Sequence, residues 1–218
     1  MKRILMTTML VAATILTGCA MQRPTHEIRE AGDWHFKRGD YARAAQEYQE
    51  IAARHPGDWE AQYKLGLSLL ETGDLRDARR ALEIAHDRKP DNPDVVDALA
   101  EAMYRQGDEA QLFAFLRDRA QSTQTVRAYL RLGKYAAEMN DPDSAQVAVR
   151  TAIELDNGRT VEPYLVASEF AQARGQVDEA VRRLRQAYGI NPDDERVLTR
   201  LRELGEIPGP TLALPPGR

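Results

Sequence analysis

The sequence predicts an all-α solenoid of five stacked helical hairpins, and three observations predict it. Gly-Asp recurs at Gly39-Asp40, Gly73-Asp74 and Gly107-Asp108 with a constant spacing of 34 residues, and Asn140-Asp141 and Gly175-Gln176 continue the phase. Prolines keep the same clock, Pro56 and Pro90 standing one period apart and Pro192 three further periods on. A period between about 20 and 50 residues is the mark of stacked supersecondary units, each unable to bury its apolar stripe alone. The third observation is composition: 43% hydrophobic and 29% charged residues with a single cysteine exclude an intrachain disulfide or a thiolate metal cage, so apolar packing must hold the fold.

The first element, residues 1–18, reads as a secretion leader. Lys2 and Arg3 precede an apolar run from Ile4 to Leu16 that ends in small residues. Thirteen helical residues span roughly 20 Å, short of the ~30 Å hydrocarbon core, which argues against a permanent membrane span. Leu16-Thr17-Gly18-Cys19 resembles the lipobox of bacterial lipoproteins. The resemblance implies cleavage before Cys19, diacylglycerol on its sulfur and a further acyl chain on its freed amine, an anchor far stronger than one chain provides. The competing reading is a cysteine that merely falls near a cleavage site. Ala20 stands where similar proteins retained in the inner membrane carry Asp, so the resemblance points to the periplasmic face of the outer membrane. Residues 19–24 then form the lipidated cysteine and its tether.

Residues 25–194 divide into units at about 25–58, 59–92, 93–125, 126–160 and 161–194. In the second, Leu65-Gly66, Leu69, Gly73, Ala78, Leu82, Ala85 and Pro90 occupy the pattern positions. The fifth supplies Gly175, Ala180, Leu184, Ala187 and Pro192, the first Gly39, Ala44, Tyr48 and Pro56, and the fourth Leu132-Gly133, Ala145, Val149 and Ala152. This pattern resembles the tetratricopeptide repeat, which implies a right-handed superhelix with a concave face. The third unit departs: Leu112 replaces the small residue at the helix crossing, Arg119 the second alanine and Gln124 the proline, which puts its packing in question. Small residues elsewhere let paired helices approach, and large ones fill the gaps.

Residues 195–205, with Val197, Leu198, Leu201 and Leu204 on one stripe, suit a capping helix that closes the open end of the stack. The tail, 206–218, holds prolines at 208, 210, 215 and 216, which oppose helix and strand and predict an extended, solvated end.

Chemistry beyond binding finds little support. A formal charge of −4 gives no reason to expect a nucleic-acid partner. His26, His35, His55 and His86 have no metal-ligand spacing, and no nucleophile elbow or phosphate-cradling loop occurs. Asp91, Asp94 and Asp97, like Asp141 and Asp143, stand at helix starts, where capping explains them. The reading is therefore a non-enzyme without cofactor or metal, and without a small-molecule substrate.

What remains is the concave face, lined in tetratricopeptide proteins by positions 2, 5, 9, 12 and 13 of each first helix. Tyr63, Leu67 and Leu70 fall on one side of the second unit's first helix, away from Leu65 and Leu69. With Phe36, Tyr104, Leu130, Leu165 and the basic Lys134 they predict an apolar groove edged by mixed charge, including Asp33, Asp97, Glu101 and Glu169. The competing reading packs Tyr63, Leu67 and Leu70 against a neighbouring unit or the N-terminal segment. The lysine and asparagine with which relatives clamp a terminal carboxylate are absent, which favours an amphipathic helix or extended segment as client. Together these readings give a lipid-anchored periplasmic scaffold that binds a protein or peptide client to aid assembly of an envelope machine such as a pilus or secretion system. Similar lipoproteins serve pilus secretins, tight-adherence pili and β-barrel assembly. The alternative is an adaptor that docks and regulates a periplasmic enzyme such as a cell-wall hydrolase.

Overall fold

The computed structural model describes residues 23–209 and 211–217; the leader, Cys19 and most of the tether lie outside the described residues. Among the described residues there are eleven α-helices and no strand: α1 Thr25–Lys37, α2 Tyr41–Arg54, α3 Trp59–Thr72, α4 Leu75–Arg88, α5 Pro93–Arg105, α6 Glu109–Thr123, α7 Val126–Glu138, α8 Pro142–Asp156, α9 Glu162–Ala173, α10 Val177–Ile190 and α11 Glu195–Glu203. None is long and apolar enough to cross a membrane.

Local chemistry sets the helix ends. Asp58, Asn92, Thr125 and Asp194 accept backbone N–H bonds at the starts of α3, α5, α7 and α11, satisfying donors that the first helical turn leaves open. Within each pair the first helix closes in the same way. The Asp74 amide, for example, reaches back to the Leu69 carbonyl at 2.9 Å across Gly73, whose φ of 85° a side chain would strain. In the fourth pair Asn140 takes that role with φ 58°, the residue type that tolerates the left-handed region best after glycine. The aspartates that follow do not all cap their helices by side chain. Asp40 and Asp141 do, but the carboxylate of Asp108 receives Arg79 of α4 at 2.9 Å and that of Asp74 receives Thr72.

Consecutive helices pack as antiparallel pairs, and each second helix packs on the first helix of the next pair, so the odd-numbered helices form one layer and the even-numbered the other. Close approach depends on the small residues. A Cβ on Gly66 would run into the Leu82 side chain and lie 3.2 Å from the Ala78 carbonyl, and Gly32 gives room to the Tyr48 ring in the same manner. Tyr48, Leu82, Leu116 and Leu184, one from each of four second helices, are completely or almost completely buried. The third pair is the exception in spacing. Leu112 sits in the crossing fully buried, and α5 and α6 approach far less closely than the helices of the other pairs.

At the end of the stack α11 buries Val197 and Leu201. The expectation of a solvated tail requires correction. Residues 211–217 are neither helix nor strand, but Leu212 is buried in the terminal core with Tyr164, Leu184, Val197 and Leu201, and the Leu214 amide donates to the Arg185 carbonyl at 3.0 Å. The apolar ledge left between α10 and α11 draws the leucine in, a favourable burial that the proline content does not oppose.

Candidate functional site

Three of the sequence-derived groove residues lie on α3, and the structure changes their role. Leu70 is only 4% exposed and belongs to the central core cluster with Ala98, Leu99 and Ala102 of α5; it is corrected from groove to core. The second apolar stripe of α3 is taken up by the neighbouring pair, because a first helix in the stack must satisfy both its partner and the next inner helix. Tyr63 and Leu67 are half-buried against the same cluster. Tyr104 is half-buried too, its ring 5.5 Å from that of Tyr135, and Phe36 meets Tyr41 edge-on at 5.2 Å against the first cluster. Leu165 is buried in the terminal cluster and is likewise corrected to core. These residues do not converge on one groove.

Leu130 and Lys134 do stand in a recess. It crosses the inner layer over α5, α7 and α9, has a volume of about 890 Å³, and has an apolar floor of Val126, Leu130, Val166 and Phe170. Its rim is charged: Asp97, Glu101, Arg127, Arg131, Glu162 and Glu169. Lys134 is exposed there, its Nζ 4.9 Å from the Tyr135 ring centroid and 3.8 Å from Glu138, a weakly held cation at the mouth.

The rim charges are organised by pairing across repeats. Asp97 of α5 accepts from Arg127 at 2.6 Å and from Arg131, both of α7, while Glu101 accepts from Tyr135 at 3.0 Å and from Arg105 at 2.7 Å. Burial raises the Asp97 carboxyl, but the bonds from Arg131 and Arg127 outweigh it and hold it below the ordinary range; Glu101 behaves alike through Arg105 and Tyr135. Burial, then the Glu101 charge, pushes the Tyr135 phenol up. The device recurs along the inner layer, with Lys64 bound to Asp33 at 2.5 Å, Arg196 to Glu162 at 2.7 Å and Arg200 to Glu169. Asp97 is thus a link between pairs rather than a helix cap.

Sequence reasoning named Asp33, Asp97 and Glu169 but missed Glu162 and all four bases, Lys64, Arg131, Arg196 and Arg200. A signal existed: in each case the base follows its acid by 31 to 34 residues, about one repeat. A smaller cavity of about 280 Å³ lies between the fourth and fifth pairs, floored by alanines such as Ala145 and Ala171 and edged by Arg150, Arg174, Glu179 and Arg183. No group of three metal-ligating side chains occurs among the described residues.

Comparison with known proteins bears on this architecture. Profiles of the tetratricopeptide repeat match residues 29–93 and 63–111, a second such profile matches 126–159 and a third 161–186, together most of the chain. The chain belongs to the tetratricopeptide-repeat family. No curated protein matches it. Similar solved structures include a thermophilic tetratricopeptide-repeat protein from Thermus thermophilus, at 22% identity over 83% of this chain and 98% of that one, with a TM-score of 0.56. MamA from Desulfovibrio magneticus is similar at 16% identity over 81% and 99%, TM-score 0.58. YrrB, described as a tetratricopeptide-repeat protein with an unusual peptide-binding site, is similar at 16% identity over 82% and 92%, TM-score 0.51. At these identities the likeness is one of fold. Within the tetratricopeptide solenoid, the recess over α5, α7 and α9 combines an apolar floor, a charged rim and open access.

Proposed function

We propose that this tetratricopeptide protein is a lipid-anchored scaffold on the periplasmic face of the outer membrane, which holds a protein or peptide client in the inner-face recess and so aids assembly of an envelope machine such as a pilus or secretion system. The observation that carries the client reading is the recess itself. Val126, Leu130, Val166 and Phe170 offer apolar anchor points, and the surrounding guanidinium and carboxylate groups offer hydrogen bonds to an extended or amphipathic segment. YrrB, of the same fold, has a peptide-binding site by its description. The anchoring reading rests on the leader and the lipobox-like Leu16-Thr17-Gly18-Cys19. An acyl anchor confines the search for a client to the membrane surface and raises effective concentration without any new contact.

Two measurements test this. Cys19→Ser should release the protein from outer-membrane fractions; persistence there after a high-salt wash contradicts the anchor. Leu130→Glu should remove a client that co-purifies with the membrane-bound protein, whereas Val147→Glu, on an exposed position of α8, should keep it. Loss in both variants contradicts the recess as the site.

A further inference from the structure

The segment 211–217 is held in the manner of a bound peptide. Its main chain makes the polar contacts: the Leu214 amide donates to the Arg185 carbonyl at 3.0 Å, Arg185 Nε donates to the Leu212 carbonyl at 2.8 Å, Gln186 Nε2 donates to the carbonyls of Pro215 and Gly217 at 3.4 and 3.3 Å, and Arg183 Nη1 donates to the Gly217 carbonyl at 3.3 Å. One side chain, Leu212, is sunk into the terminal core. Gln186, only 5% exposed, lies within hydrogen-bond reach of these carbonyls.

The surface beneath is shaped for this. A Cβ on Gly189 would collide with the Leu214 carbonyl, and a Cβ on Gly158 would lie 2.7 Å from the Pro216 ring. Pro216 and Gly217 also close a small cavity against Tyr164, Ile153 and Asn157. Contacts that read carbonyls and one apolar anchor are indifferent to most side chains. They suit an extended chain whose prolines carry no N–H to satisfy and lose little freedom on binding.

We infer that the outer face of α10, bounded by Arg183, Arg185, Gln186 and Gly189, is a binding site for extended peptides with a leucine followed three and four residues later by proline. The chain's own segment 211–217 fills the site in cis, and an external peptide of the same chemistry displaces it. The site is separate from the inner-face recess and does not depend on it. Because the connection from α11 is short, the internal segment competes at an effective concentration on the order of millimolar, so an external ligand must bind more tightly or be itself tethered nearby.

The test uses the full chain and two variants that both release the segment. Leu212→Asp removes the anchor and leaves the site intact, whereas Gly189→Leu fills the site. Release is read by hydrogen exchange over 211–217 and the fold by circular dichroism. A labelled peptide of residues 206–218 is then titrated by fluorescence anisotropy. The expected result is saturable binding to Leu212→Asp, at least about tenfold tighter than to the unmodified chain, and none to Gly189→Leu. If Leu212→Asp frees the segment but takes up no peptide, or if all three chains bind it equally, the inference is overturned. Loss of the helical fold in both variants would make the segment ordinary core and overturn it as well.

Discussion

The second and third helical pairs share a repeat length but solve the helix crossing differently. In the second pair Gly66 faces Ala78 and Leu82, and the backbones come close enough that one added methyl would collide. In the third, Ala100 and Leu112 stand at the equivalent places, both fully buried, and α5 and α6 stand apart to hold them. Nothing else is lost: α5 still packs on α4, α6 still packs on α7, and Gly107 still takes the left-handed turn. A departure from the pattern at the crossing is thus absorbed as spacing. The turns that keep the period are untouched, so the stack stays in phase, and Asp97 and Glu101 of this wider pair line the recess together with residues of α7 and α9.

The largest effect separating the two pairs should come from Leu112→Ala, which removes a fully buried side chain from the wide crossing and should cost about 2–5 kcal/mol in chemical unfolding. A cost below about 1 kcal/mol would mean that α6 closes onto α5 as α4 does onto α3, and the contrast would be one of sequence only. Gly66→Ala should come next. It forces Leu82 aside in the tight crossing and should cost about 1–3 kcal/mol, and no measurable cost would show room to spare there and erase the distinction.

Asp97→Asn tests the link between the third and fourth pairs. Asp97 and Glu101 are held below the ordinary carboxylate range, so their folded forms bind fewer protons than the unfolded chain does. The stability they contribute is complete above about pH 5 and is lost progressively as pH falls further. The variant should lose about 1 kcal/mol or less at neutral pH, because the pair is partly exposed, and show a shallower decline in melting temperature on acidification. The smallest effect concerns His86 of α4, whose ring meets Phe115 of α6 edge-on at 5.4 Å and so bridges the two pairs. Burial, then the neighbouring Arg119, lowers its affinity for a proton. Stability therefore declines as pH drops below about 6.5, and His86→Leu should flatten that part of the melting profile. An unchanged profile would show that His86 is not confined between the pairs.

Much of the architecture was legible because it rests on local necessities. Left-handed turns demand Gly39, Gly73, Gly107 or Asn140, and close crossings demand Gly66 or Ala78; such requirements are written residue by residue. The candidate site was less so. Tyr63, Leu67 and Leu70 do form a second apolar stripe, but whether that stripe faces solvent or α5 depends on how one pair rotates on the next, which no single helix encodes. Leu130 and Lys134 line the recess because α7 and α9 leave the space above them open. The prolines of the tail say nothing of the burial of Leu212, since the ledge that takes it is assembled from Leu184, Val197 and Leu201 on two other elements.

The most direct test of the central claim, that the client lies over α7 rather than α3, is photo-crosslinking in intact cells from position 130 and, side by side, from position 67, with position 147 as an outer-face control. One defined adduct is expected from position 130, weak or missing from 67 and 147. A defined adduct from position 67 with none from 130 would contradict it and return the groove to the second pair.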